Sequence, residues 1–263
     1  MGKTWSFNRK DNIVIWYHRK KYIVLGTRIK RTLDVLFLKF FLFIEGRRRY
    51  VEELRGEKVP ANPIPEHKYE QFKYRLEELS GSLAERNMML FYLGVSTGYR
   101  MQDLVRLTVG ALLEAVDQDK LIIQEQKQYN AYKKELNNNP NTKRKPPKKR
   151  EVRIKKNLRK LIKEYCKGKN KSAYAFESNK TNEHIEAKSY SLILSKTGKS
   201  LGLKNISGHS LRKVYATRLW EDTRDLEFVR RSVGHKKINT TKDYLGFMEE
   251  VMDRSAEITD SKL

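Results

Sequence analysis

Four residues in the stretch from Gly208 to Gly246, GHSLRKVYATRLWEDTRDLEFVRRSVGHKKINTTKDYLG, carry side chains suited to a phosphodiester: His209, Arg212, His235 and Tyr244. An arginine fork matches two phosphate oxygens and stays charged at any relevant pH. An imidazole gives or takes a proton near neutrality, and a phenol becomes a competent nucleophile when cations and a base lie close. Singly, each residue has an ordinary reading. His209 and His235 serve as capping or surface histidines, Arg212 as a salt-bridge partner, and Tyr244 as one of 14 tyrosines. Order and spacing are what single them out together.

The pattern runs H-x-x-R at His209 and Arg212, Gly-His at Gly234 and His235, then Tyr244 nine residues beyond the second histidine. It resembles the active-site boxes of the tyrosine recombinase (phage integrase) family. The phrase TGYRMQDLVRL resembles that family's first arginine box, so Arg100 falls at the catalytic arginine and Asp103 at the acidic position. At that position a structural partner for helix ends or an arginine is expected rather than a catalyst. In the family a strand pair carries the catalytic lysine where its first strand gives way to the turn. LIIQEQK matches this and implies Lys127, with Lys133 and Lys134 as rivals.

The resemblance covers about residues 62 to 250 and implies a chemistry. Tyr244 attacks the phosphorus, while Arg100 and Arg212 neutralise the non-bridging oxygens. His235 donates a further hydrogen bond, His209 accepts or relays the tyrosine's proton, and Lys127 protonates the departing 5′ oxygen. The product is a 3′ phosphotyrosine, which a partner strand's hydroxyl then attacks. No metal and no cofactor is expected, because the arginines take the place of a metal and the phosphoester bond is stored. The expected partner is double-stranded DNA, bound by a homo-tetramer that recombines or integrates a mobile element. Two other readings stay open. One is a topoisomerase or telomere-resolving enzyme using the same nucleophile; the other is a non-catalytic DNA-binding regulator whose helix with Arg212 and Lys213 lies in a groove.

The elements that must position these residues read as mainly α with a small antiparallel β-sheet, an α+β arrangement. Residues 12 to 27 suggest a strand pair and residues 28 to 54 a helix, together a small module over residues 1–61 with basic flanks that fit DNA contact. Prolines at 60, 63 and 65 mark the boundary to a catalytic domain over residues 62–263. A helix bearing Tyr69, Phe72, Leu76 and Leu79 follows. Ser82 with Glu85 has capping-box spacing for the next helix, which ends at Gly98 and aims Arg100 off the turn. Strands are expected at Lys120–Gln126 and Glu151–Lys155, joined by a flexible polar loop that tracks DNA backbone. Asn157 is the expected cap of the helix after it. Thr240 and Thr241 start the one bearing Tyr244. Beyond Tyr244, Phe247, Met248, Val251 and Met252 form a stripe for either the domain's own core or a neighbouring protomer.

Charge agrees with a polyanionic partner: 56 Lys and Arg against 32 Asp and Glu leave a formal +24. Residues 143–160 hold 11 basic residues and one acidic residue. Lys143, Arg144, Lys145, Lys148, Lys149 and Arg150 are therefore expected to bind phosphates, with Lys213 beside the active-site boxes. The most apolar run, Leu33 to Ile44, is interrupted by Asp34 and Lys39 and is too short for a bilayer, which needs roughly 20 residues. The polar opening from Met1 to Asn12 is not expected to act as a secretory signal. A single cysteine, Cys166, excludes an internal disulfide, suits a cytoplasmic setting and falls on a core position. His184, without a partner motif, is expected to be structural or superficial.

Overall fold

The computed structural model describes residues 60–260 and, before them, only the antiparallel pair β1 (Phe7–Asn8) and β2 (Ile13–Val14). The chain divides into two units, Met1–Lys58 and Val59–Leu263. Apart from Ile13–Val14, the strands and helix expected over residues 12–54 lie outside the described residues.

Helix α1 (Tyr69–Ser80) buries Tyr69, Phe72 and Leu76, the stripe its spacing dictates. Helix α2 (Ala84–Thr97) is buried on nearly every side, so it runs through the centre of the core with α1 packed on it. Phe72 and Phe91 stack at 5.9 Å between them. The capping box expected at Ser82 and Glu85 does not form. Gly81, at φ +52°, ends α1, and a single 3-10 turn (Gly81–Leu83) passes directly into α2, leaving Leu83 at the cap with no side-chain bond.

The far end of α2 follows the expectation. Gly98 adopts the left-handed conformation, φ +59°, and Arg100 leaves it in extended backbone before the short α3 (Met101–Leu104). Helix α4 (Val109–Asp117) then starts at Thr108, whose hydroxyl accepts from Ala111 N–H. Strands β3 (Lys120–Ile123) and β4 (Arg150–Arg153) pair antiparallel with Leu121 opposite Val152. The buried Tyr99 fastens this ribbon to the end of α2, its hydroxyl lying 2.9 Å from Leu121 O and 2.6 Å from Arg150 O.

Between the strands the structure departs from the expected loop. Residues 126–138 form helix α5 (Gln126–Asn138), with Tyr129, Tyr132 and Leu136 at helical spacing and the Tyr129 and Tyr132 rings 6.4 Å apart. The chain after it folds back, held by Arg144 and Thr142 on Glu135. Polarity masked the helix because no side of it is buried. Helix α6 (Lys156–Cys166) begins with Lys155 rather than Asn157 at its cap, and it buries Leu158, Ile162, Tyr165 and Cys166. His184 is structural: its ring packs edge-on to Tyr174 at 5.2 Å, and Nδ1 lies 2.9 Å from Ile185 O.

Helix α7 (Ala187–Ser200) pins Tyr190 to Asn87 O on α2 at 2.7 Å. Helix α8 (Gly208–Thr223) starts in a reciprocal capping box between Ser207 and Ser210. Two apolar clusters claim α8. Leu211 and Val214 enter the main core beside α2, whereas Ala216 joins Val229, Val233, Tyr215, Leu219, Trp220, Tyr244 and Leu245 in a smaller one. That smaller cluster belongs to α8, α9 (Leu226–Val233) and α10 (Ile238–Leu245). Helix α10 begins at Ile238, two residues before the expected Thr240. Helix α11 (Phe247–Asp260) follows; Phe247 meets Trp220 edge-on at 5.0 Å, and the side chains of Met248, Val251 and Met252 lie outside the described residues.

A Cβ on Gly98 would sit 2.3 Å from Tyr215 Cδ1 in a left-handed backbone. The conformation costs about 1 to 2 kcal/mol and overpacking about 1 to 3 kcal/mol more. Gly98→Ala should therefore lose at least about 2 kcal/mol in urea unfolding. Gly202→Ala, at φ +73° with open space around it, should lose only the conformational part. Equal losses would show that contact with Tyr215 is unimportant.

Candidate active site

Three arginines from distant parts of the chain meet at one buried carboxylate. Arg212, one turn into α8, is 2% exposed and donates from Nη1 to Gly98 O at 2.6 Å and to Glu125 Oε1 at 3.3 Å; its Nη2 donates to Val233 O. Arg100 brings Nη1 to 2.6 Å from the same Glu125 oxygen, an ion-pair contact whose angle falls short of a hydrogen bond. Arg150 Nη1 lies 4.0 Å from that oxygen. Glu125 itself is 3% exposed, and its second oxygen accepts from Gln128 Nε2 at 2.8 Å.

Three guanidiniums against Glu125, with the buried Asp103 close enough to act on Arg100 and Arg212, leave a local excess of positive charge. Carbonyls at the C-terminal ends of α2 and α9, where the helix dipole is negative, offset part of it. Arg212 takes Gly98 O and Val233 O, and Arg150 takes Thr97 O at 2.7 Å and Ser232 O at 3.0 Å. Burial, reinforced by Arg100, still pushes Arg212 down to about 10. An anion is what the cluster lacks.

The two histidines and Tyr244 stand beside it. Gly234, at φ +74°, ends α9 and hands the chain to His235, whose Nδ1 lies 3.0 Å from Thr241 Oγ1. Burial and then Arg212 and Arg100 push His235 down to about 4. The same causes, with Lys127 added, lower His209, whose imidazole is partly covered although the residue as a whole is exposed at the rim. Both imidazoles are therefore neutral at pH 7. Tyr244, half-buried, packs edge-on to His235 with ring centroids 5.2 Å apart. Its hydroxyl donates to His209 O at 3.2 Å, the backbone carbonyl and not the imidazole expected to take its proton. Burial pushes this phenol up to about 12 against the opposing pull of Arg212 and Arg100.

Arg100, His209, Arg212, His235 and Tyr244 thus converge. Lys127 stands exposed at the second residue of α5, near enough to His209 to act on its charge, while Lys133 and Lys134 lie further along that helix. The Lys213 ammonium lies 5.4 Å from the centroid of the Tyr244 ring. Lys143, Lys145, Lys148 and Lys149 are exposed, and Arg144 is engaged by Glu135. Arg150 departs from the expected DNA-facing run. It opens β4 opposite Ile123, where strand alternation turns it inward, and its donors are spent on backbone carbonyls. Asp103 is structural: buried, it accepts from Gln126 N–H at 2.9 Å and so caps α5. Glu125 escaped the sequence reading. Its only signal was an acidic residue at the end of an apolar strand, and its arginine partners are remote in sequence.

Residues 63–249 match the phage integrase family. The chain belongs to the phage integrase family. Among its relatives, the probable integrase/recombinase YoeC of Bacillus subtilis is 26% identical over 166 residues, 63% of this chain and 80% of the relative. Tyrosine recombinase XerA of Pyrococcus horikoshii is 26% identical over 221 residues, 81% of this chain and 68% of the relative. In fold, this integrase-family chain is similar to the crystal structure of the site-specific recombinase XerH bound to difH substrate after cleavage. The TM-score is 0.51 and the identity 21%, over 78% of this chain but only 55% of that one.

The depressed histidines have a pH signature. His235 in the folded protein binds its proton near 4, and an unfolded histidine near 6.5, so stability held above about pH 6.5 is lost as pH falls toward 4. NMR titration of the free protein should place the His235 midpoint near 4, and it should rise when duplex DNA supplies phosphate charge. A midpoint at the ordinary histidine value would mean that neither burial nor the arginine cluster acts on it.

Proposed function

We propose that the chain is a site-specific DNA recombinase of the tyrosine class, cleaving and rejoining duplex DNA through a 3′-phosphotyrosine. The observation that carries this reading is the convergence of Arg100, Arg212 and Tyr244 at a buried cluster whose three guanidiniums outnumber its carboxylates, Glu125 and the nearby Asp103. Family membership and DNA-bound relatives of the same fold support it.

The scissile phosphate fills the anion deficit, bridging the outward edges of Arg100 and Arg212. Tyr244 Oη attacks phosphorus, a P–O bond forms, and the bond to the 5′ oxygen breaks. The phenol's proton passes to neutral His209, and the 5′ oxygen takes a proton from Lys127. His235, neutral and anchored through Nδ1 on Thr241, offers Nε2 to the phosphate. Phosphate charge beside the phenol would hold its pKa up, so deprotonation must be concerted with attack rather than precede it. Rejoining reverses these steps with a hydroxyl from another strand. Residues 62–263 form the catalytic domain in this reading and residues 1–61 an accessory DNA-contacting module. A homo-tetramer in the cytoplasm brings two duplexes of a mobile element together. Among the described residues no helix is long and apolar enough to cross a membrane.

The test begins from nicked duplexes with a randomised core, which yield denaturant-stable adducts whose DNA is then sequenced. Tyr244→Phe should abolish the adduct and leave duplex affinity within about twofold, because many phosphate contacts carry binding. An adduct persisting in this variant would move the nucleophile elsewhere.

The exposed lysines after α5 give a separate expectation. Each neutralised phosphate contributes about 0.9 to the slope of log affinity against log salt. Replacing Lys143, Lys145, Lys148 and Lys149 by Gln should lower that slope by up to about 3.6 and weaken all duplexes alike. An unchanged slope would leave the segment solvated and away from DNA.

A further inference from the structure

We propose that Glu125 is a positioning residue, holding Arg100 and Arg212 from behind and tying that pair to the helix that carries Lys127. The proposal rests on the recombinase reading above.

Arg100 Nη1 and Arg212 Nη1 reach the same Glu125 oxygen, at 2.6 and 3.3 Å. At 3% exposure the carboxylate is buried together with Arg212, itself at 2%, whereas Arg100 keeps 17% exposure toward solvent. It cannot stand in for a phosphate arriving from outside. What it fixes is which edge of each fork faces inward, and therefore which edge is presented to DNA. A fork misplaced by about 1 Å costs on the order of 10² in rate.

The same residue is the cap position of α5, two residues before Lys127, and Gln128 in the first turn donates to its other oxygen at 2.8 Å. Asp103, three residues after Arg100, accepts from Gln126 N–H at 2.9 Å. The Arg100 segment and the start of α5 are thus joined twice, once through each acid. A displacement of α5 would move the arginine edges with it. The charge that neutralises the phosphate and the proton for the leaving oxygen are consequently set by one rigid junction.

A carboxylate near a phosphate site also has a plain electrostatic effect, which is to damp the attraction. The two roles predict opposite signs for Glu125→Gln. Single-turnover adduct formation on the selected nicked duplex decides between them, with a second duplex carrying a methylphosphonate at the scissile position. That substrate has no negative charge for the arginines to neutralise. Wild-type adduct is demonstrated first; its absence would defeat the recombinase reading itself, apart from any role of Glu125. Glu125→Gln should bind the uncleaved duplex as tightly as wild type or tighter, yet form adduct about 10- to 100-fold more slowly. On the methylphosphonate duplex the slowing should shrink to within about threefold, and Glu125→Asp should recover part of the rate on phosphate. Cleavage at or above the wild-type rate would make Glu125 a damping charge, and equal slowing on both duplexes would make it a general support of the fold. Either result overturns the proposal. If circular dichroism shows Glu125→Gln unfolded, Glu125→Asp compared on the two duplexes decides by the same criterion.

Discussion

A buried positive charge without enough counter-charge is the constraint on which the rest of this structure depends. Arg100, Arg150 and Arg212 surround the carboxylate of Glu125, with Asp103 buried nearby, in a place where burying an ion costs several kcal/mol unless it is well paired. The chain meets part of that cost by ending helices α2 and α9 at the cluster, so that carbonyls of Thr97, Gly98, Ser232 and Val233 accept from the guanidiniums. These bonds fix both the helix ends and the arginines. The remainder of the charge is left for a ligand, and a phosphodiester in duplex DNA is the anion that the +24 chain is suited to meet.

Much of the surrounding architecture follows from this meeting point. Gly98 is needed because the turn after α2 must be left-handed and must pass against Tyr215, and only then does Arg100 leave in the right direction. Tyr99, next in sequence, anchors the β3–β4 ribbon, which delivers Glu125 and Arg150 together at the same end, where Ile123 pairs with Arg150. Helix α8 joins the two apolar clusters, so Arg212 is carried by the main core while Tyr244 belongs to the smaller one. Two packing units therefore share one site. Arg212 and Arg150 bond across the boundary between them, to Val233 O and Ser232 O.

The candidate site residues were legible through the order and spacing in which they resemble the family's boxes, and the structure sets them at helix starts and ends: Arg100 after a helix-ending glycine, Arg212 one turn into a capped helix, His235 after Gly234. Apolar periodicity placed α1 and α6 within a few residues, and α2 was placed by a capping-box spacing whose bonds do not form. The connection between the strands was not legible. Its polarity reads as a loop, whereas local pairs such as Tyr129 with Tyr132 and Glu135 with Arg144 hold it as a helix and its return. Arg150 was hidden by its neighbours, since a basic run suggests one common face and strand pairing turns alternate residues inward. Glu125 was hidden for a different reason. A buried acid is recognisable only by its partners, and all three arginines reach it through tertiary structure.

The central claim is that a DNA phosphate completes the arginine cluster in front of Tyr244 while Glu125 stays behind it. A crystal structure of Tyr244→Phe bound to an uncleaved selected duplex tests this most directly. The account predicts one backbone phosphate within hydrogen-bonding reach of both Arg100 and Arg212, in line with the ring at position 244, with Glu125 still paired to the inner edges of the arginines. A phosphate bound away from that pair, or a Glu125 side chain swung out to make room for it, would contradict the account.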